Sequence, residues 1–91
     1  MKETTTFWDI IDYPITTEKA VKLIETENKL IFQLRNLKIN KKEIKEKFEE
    51  EFKVKVDKVN TLITRKGKKK AIIILKPEFS AGDIAVKLGI I

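Results

Sequence analysis

Cysteine and histidine are both missing from this chain. Without a thiol there is no disulfide framework, thiolate metal site or cysteine nucleophile, and without an imidazole the side chain that titrates near neutral pH is gone too. These gaps predict a protein that is not an enzyme and that carries no cofactor or metal. Glycine is scarce as well, and the three present, at positions 67, 82 and 89, lie too far apart to form a phosphate-cradling loop. The longest apolar run is five residues, against the ~20 needed to cross a bilayer, and the N-terminus lacks the basic-then-apolar order of a secretion signal. Membrane insertion is not expected, and the expected compartment is the cytoplasm.

What the chain has in quantity is charge and branched apolar residues. A content of 42% apolar and 37% charged residues fits a folded domain with a heavily ionised surface. At 91 residues a single domain over 1–91 is expected, burying ~60–65% of the surface its unfolded form exposes, with 1–6 frayed. The 14 Asp and Glu residues are scattered among lysines and suggest no paired carboxylates for acid/base work. The net charge of +6 is uneven: 4 basic against 6 acidic side chains in residues 1–30, 9 against 6 in 31–60, and 7 against 2 in 61–91. The acidic and basic ends are expected to face different partners.

Taken in order, residues 7–15 are dense in aromatic and branched residues and predict a short edge strand stopped by Pro14. Phe7, Trp8 and Tyr13 are expected to pack under the sheet, with stacking on a base or docking of a partner as alternatives. Thr16 or Thr17 offers an N-cap to a helix over 18–26, which Asn28 breaks. Leu30, Phe32 and Leu34 then alternate as one face of a strand. Asn40 with Glu43, flanked by Ile39 and Ile44, predicts a capped and stapled helix with Ile44, Phe48 and Phe52 as its apolar stripe. On its surface Glu43–Lys47 and Glu49–Lys53 have the spacing of ion pairs. Val54 and Val56 differ in parity from Val59, Thr61 and Ile63, so a bulge is expected near Asp57 or Lys58. Ser80 with Asp83 starts a last helix, and Gly89 ends it.

The chain is organised around a hairpin over 59–76. Its second strand contains Ala71-Ile72-Ile73-Ile74-Leu75, five apolar residues in a row, the pattern of a strand covered on both faces. At its leading end, five of the six residues from Arg65 to Lys70 are cationic, and the sixth is the turn glycine, Gly67. The fold class that follows is α+β: a mixed, mostly antiparallel four-stranded sheet packed with helices. It is ferredoxin-like-related, ordered β-α-β-α-β-β-α, with 69–76 as the central strand and the strands before it and at 29–35 parallel on either side.

A cationic tip held by a buried strand suits the phosphates of a nucleic acid, whose counterions it displaces. The central strand offers no aromatic residue for base stacking, which favours recognition of shape and backbone over sequence readout. The competing reading is a basic turn that only protects a sheet edge.

Three motifs then converge. Lys69-Lys70-Ala71-Ile72-Ile73-Ile74-Leu75-Lys76 with Ile84, Ile15-Thr16-Thr17-Glu18-Lys19-Ala20, and Lys58-Val59-Asn60-Thr61-Leu62-Ile63 resemble, respectively, the signature strand, the Ser/Thr-Glu-Lys-Ala corner and the Val-Asn-Thr strand of the large-subunit ribosomal proteins of the L-twenty-three family. The resemblance covers Trp8 to Ile91 and is to the archaeal type. It implies a structural protein of the large ribosomal subunit, bound to large-subunit ribosomal RNA and neighbouring ribosomal proteins beside the exit tunnel. It implies RNA contacts at Asn60, Thr61, Thr64, Arg65, Lys66, Lys68, Lys69 and Lys70. It also implies a docking corner at Thr17, Glu18 and Lys19 for the signal recognition particle or the translocon. Bacterial members carry a long loop in this hairpin; here only Arg65 to Lys68 connect the strands, so no reach into the tunnel is expected. The alternative reading is a free ferredoxin-like regulatory or protein-interaction module.

Overall fold

Short capping signals set the ends of most elements. The computed structural model describes residues 6–90. These form α1 (Phe7–Ile10), β1 (Ile11–Pro14), α2 (Glu18–Glu27), β2 (Lys29–Leu34), α3 (Lys41–Phe52), β3 (Val56–Ile63), β4 (Lys69–Leu75) and α4 (Ala81–Leu88). Thr17, Asn40 and Ser80 each accept a hydrogen bond from the N–H three residues on, that of Ala20 at 3.2 Å, Glu43 at 2.8 Å and Asp83 at 3.3 Å. Each cap satisfies a donor that the first helical turn leaves without a partner, a contribution of ~1 kcal/mol. Ile39 and Ile44 are both buried around the Asn40 cap, as a staple requires. At the end of α4, Gly89 is left-handed at φ +77°; its N–H donates to the Val86 carbonyl at 3.1 Å, and that of Ile90 to Ala85 at 2.9 Å. This is a Schellman closure, which places a left-handed residue at that position.

The sheet order is β1-β2-β4-β3, and every neighbouring pair is antiparallel. The strand 69–75 is therefore internal, with β2 and β3 running in the same direction on either side of it. The sheet expected to be mixed is antiparallel at each pairing, because β4 fills the gap between its two parallel flanking strands. The register of β3 shifts between Val56 and Lys58. That extra residue puts Val56 and Val59, which are an odd number of positions apart, in the same core.

The core lies on one side of the sheet. Leu30, Phe32 and Leu34 of β2 and Ala71, Ile73 and Leu75 of β4 join Phe7, Ile24, Ile44, Phe48 and Ile84 from the helices. Phe7 is the hub of its aromatic part, edge-on to Phe32 and Phe48 with ring centroids 5.2 Å from each. Such pairs contribute ~0.5–1.5 kcal/mol beyond the area they bury.

Five expectations are corrected. The run 71–75 is not covered on both faces: Ile72 and Ile74 are only half-buried, as is Ile31 beside them. The alternate positions Ala71, Ile73 and Leu75 face the helices, and the branched residues between them suit a pleated surface whether or not it is covered. Residues 7–10 are a helical turn and not strand. The Thr6 N–H and hydroxyl donate to the Asp9 carboxylate at 2.8 and 3.1 Å, closing the chain before Ile11 enters the sheet. Thr6 is thus an anchored cap and not frayed; residues 1–5 lie outside the described residues. Of the three aromatics expected under the sheet only Phe7 is there, while Trp8 is 43% and Tyr13 47% exposed. The ion pairs expected on α3 give way to Lys47–Glu50 at 3.8 Å, since Glu49 instead accepts from the Val56 N–H at 2.8 Å and ties the helix to β3. Among the described residues no helix is long and apolar enough to cross a membrane.

Candidate nucleic-acid interface

The hairpin tip is fixed by its backbone. The Thr64 N–H donates to the Lys68 carbonyl at 2.7 Å, and the Gly67 N–H donates to the Thr64 carbonyl at 2.9 Å. The Thr64 hydroxyl accepts from the Lys68 N–H at 3.3 Å. Thr64 and Lys68 therefore close the turn across Arg65, Lys66 and Gly67, just beyond the last strand pair, Ile63 with Lys69. Gly67 is left-handed at φ +75°, the position a three-residue hairpin loop reserves for glycine. The turn leaves Arg65, Lys66 and Lys68 exposed.

The eight residues implied as RNA contacts divide among three places. Arg65, Lys66 and Lys68, with Thr64 at their base, form the tip. Asn60 and Lys70 lie on the open face of the sheet, the first opposite Ile72 and the second opposite Gln33 and Leu62. Thr61 pairs with buried Ala71 and so belongs to the helix face. Lys69 shares that parity, and its Nζ donates to the carbonyls of Ile39 at 2.8 Å and Leu37 at 3.3 Å. Its charge is spent on the loop before α3, which the sequence pattern does not reveal.

The residues implied as a docking corner lie on the surface. Thr17, Glu18 and Lys19 are all exposed, Thr17 as the N-cap of α2 and Glu18 in the first turn, where the helix dipole favours a carboxylate. Thr16 and Thr17 border a groove of about 720 Å³ whose other wall is Thr64, Arg65, Lys66 and Lys70. The fold brings this corner and the hairpin tip to one groove, because β1 delivers the chain to the sheet beside β2.

Residues outside the implied RNA contacts complete the surface. Tyr13 and Gln33 line the same groove. Arg35 lies beside Gly67, Lys68 and Lys69 in a second depression. The Thr6 backbone and hydroxyl bonds hold the Asp9 carboxyl below its ordinary range against desolvation, and the Arg35 charge adds to the effect. A signal for Arg35 did exist, since it is one of only two arginines, the side chain best shaped for phosphate. Gln33 carried no signal and Tyr13 had base stacking or docking only as alternatives to packing under the sheet, because strand register is what brings both to the hairpin. Among the described residues no group of three or more carboxylates gathers as a metal site would require.

The profile of the family described as "Ribosomal protein L23" matches residues 9–81. The chain is 52% identical over 83 residues to "Large ribosomal subunit protein uL23" of Methanococcus aeolicus, covering 91% of this chain and 95% of that protein. It is 49% identical, with the same coverage of both, to the protein of that name from Methanococcus vannielii. With a family match over most of its length and relatives at about half identity, the chain belongs to the ribosomal protein L23 family.

Proposed function

We propose that this chain is a structural constituent of the large ribosomal subunit, in the cytoplasm, that grips ribosomal RNA beside the polypeptide exit tunnel. Membership of the family makes the role structural and not catalytic. The observation that carries the RNA grip is the fixed hairpin tip, which holds Arg65, Lys66 and Lys68 exposed on a backbone-locked turn. A turn whose backbone is already fixed loses little further backbone freedom when it meets phosphates, and the counterions its cations displace contribute to affinity. Neighbouring ribosomal proteins complete the setting. The short loop keeps this contact at the subunit surface.

The exposed corner at Thr17, Glu18 and Lys19 serves as a docking point for the signal recognition particle or the translocon. The side chain of Glu18 has no protein partner among the described residues, so it is available to a visiting cation. Sedimentation in moderate salt tests the assignment to the subunit. Stoichiometric recovery with large subunits is expected, and a protein that stays in the supernatant is a free module instead. Glu18→Ala then tests the corner: subunit assembly is retained and factor recruitment weakened, whereas unchanged recruitment removes the docking role.

A further inference from the structure

One row of side chains crosses the open face of the sheet from edge to edge. Tyr13 of β1 stands opposite Gln33 of β2, Gln33 opposite Lys70 of β4, and Lys70 opposite Leu62 of β3. Directly opposed residues share a face, with Cβ atoms about 4.5–5.5 Å apart. A phenol, a carboxamide and an ammonium are therefore successive neighbours along one floor.

Gln33 is the most telling of them, as the one buried polar side chain among the described residues, 3% exposed. Its Nε2 donates to the Lys69 carbonyl at 3.1 Å and weakly to that of Leu34 at 3.5 Å. Those bonds fix the amide and leave Oε1 as an acceptor with no protein partner among the described residues. Tyr13 brings a half-exposed aromatic ring to the same groove, Arg65, Lys66 and Lys70 bring positive charge, and no Asp or Glu lines it. At about 720 Å³, the groove is within the ~300–1,000 Å³ typical of sites for small flat ligands.

A ligand that satisfies all three features has a flat π face, an N–H edge and a negative charge. The geometry points to this groove as the seat of one unstacked nucleotide of RNA. Its base lies on Tyr13, a base N–H donates to Gln33 Oε1, and its phosphate lies among Arg65, Lys66 and Lys70. The inference rests on the RNA-binding reading and deepens it, since it adds a base contact to recognition otherwise confined to the backbone.

The test uses the full chain with a large-subunit ribosomal RNA transcript, titrated at several salt concentrations, for wild type, Tyr13→Phe and Tyr13→Leu. Tyr13→Phe keeps the ring and is expected to bind within about twofold of wild type. Tyr13→Leu removes it and is expected to bind about tenfold more weakly with an unchanged salt slope, because stacking is not a counterion effect. In parallel, wild-type large subunits are irradiated with ultraviolet light and digested, a readout that no variant's folding can disturb. The expected product is the Tyr13 peptide bearing a nucleotide. Leucine binding as well as tyrosine, with no nucleotide adduct, overturns the seat while a steep salt slope leaves the phosphate grip standing. A Tyr13 peptide joined to another polypeptide overturns it in favour of a protein partner, and a flat wild-type salt slope overturns both readings together.

Discussion

The ammonium of Lys69 lies 2.8 Å from the carbonyl of Ile39, thirty residues earlier in the chain. A side chain that belongs to the basic cluster by sequence belongs to the scaffold by geometry. Its two carbonyl contacts hold the loop that delivers Asn40 to the start of α3, and so support the cap from which that helix begins.

Lys69→Met should therefore behave unlike its neighbours. Urea unfolding is expected to show a loss of about 1–2 kcal/mol, the low end for hydrogen bonds from a charged donor because the site is only half-buried. The salt slope of RNA binding should stay near wild type. A reduced slope with unchanged stability places the Lys69 charge on RNA.

Asn28 is a second joint of this kind. It ends α2 in the left-handed region at φ +56°. Its Nδ2 donates to the carbonyl of Phe79 at 2.9 Å, and its Oδ1 accepts from the Ala81 N–H at 2.7 Å. Asn28→Ala loses these bonds and is strained as well, for an expected cost of about 2–4 kcal/mol. Asn28→Gly keeps the backbone conformation and loses only the bonds, so it should melt between alanine and wild type. Equal melting of all three removes the joint from the account.

At the hairpin tip, an added Cβ on Gly67 would meet nothing within 4 Å, which leaves backbone conformation as the only cost. Gly67→Ala is expected to cost about 1–2 kcal/mol and to weaken RNA binding by loosening the tip. Gly67→Asn, which tolerates φ > 0, should recover most of both. Calorimetry and binding on the same preparations check the pair; an alanine as stable as glycine rules out the left-handed turn.

The Asp9 carboxyl, held low by its Thr6 hydrogen bonds, gives a pH signature. A carboxyl depressed in the folded state stabilises fully above its unfolded pKa and loses that contribution as pH falls through the folded one. The protection factor of the Thr6 amide should therefore fall in acid, below about pH 4, while at neutral pH it is already lower in Asp9→Asn. A protection factor that is independent of pH and equal in the two proteins contradicts the cap.

Much of this architecture was legible from residue spacing. Thr17, Asn40, Ser80 and Gly89 act through contacts within three or four residues, so their signals survive in the sequence. The parity change between Val56 and Val59 required a bulge, and the five apolar residues of 71–75 pointed to an internal strand, which β4 is although one of its faces is only half-covered. What escaped depended on register or on competition between partners. Glu49 had Lys53 at ion-pair spacing, yet the N–H of Val56 was nearer to hand. The aromatic density of 7–15 suggested strand, but the Thr6–Asp9 contact turned its first four residues into helix. The hairpin cations were evident, whereas the approach of Tyr13 and Gln33 to them follows only from the order β1-β2-β4.

The most direct test of the hairpin grip is the slope of log affinity against log salt for large-subunit ribosomal RNA, comparing wild type with Lys66→Ala/Lys68→Ala/Lys70→Ala. Removing three ammonium groups that each neutralise a phosphate should flatten the slope by about 2–3 units while the variant keeps its fold. A triple variant whose slope matches wild type places the RNA contact elsewhere on the protein.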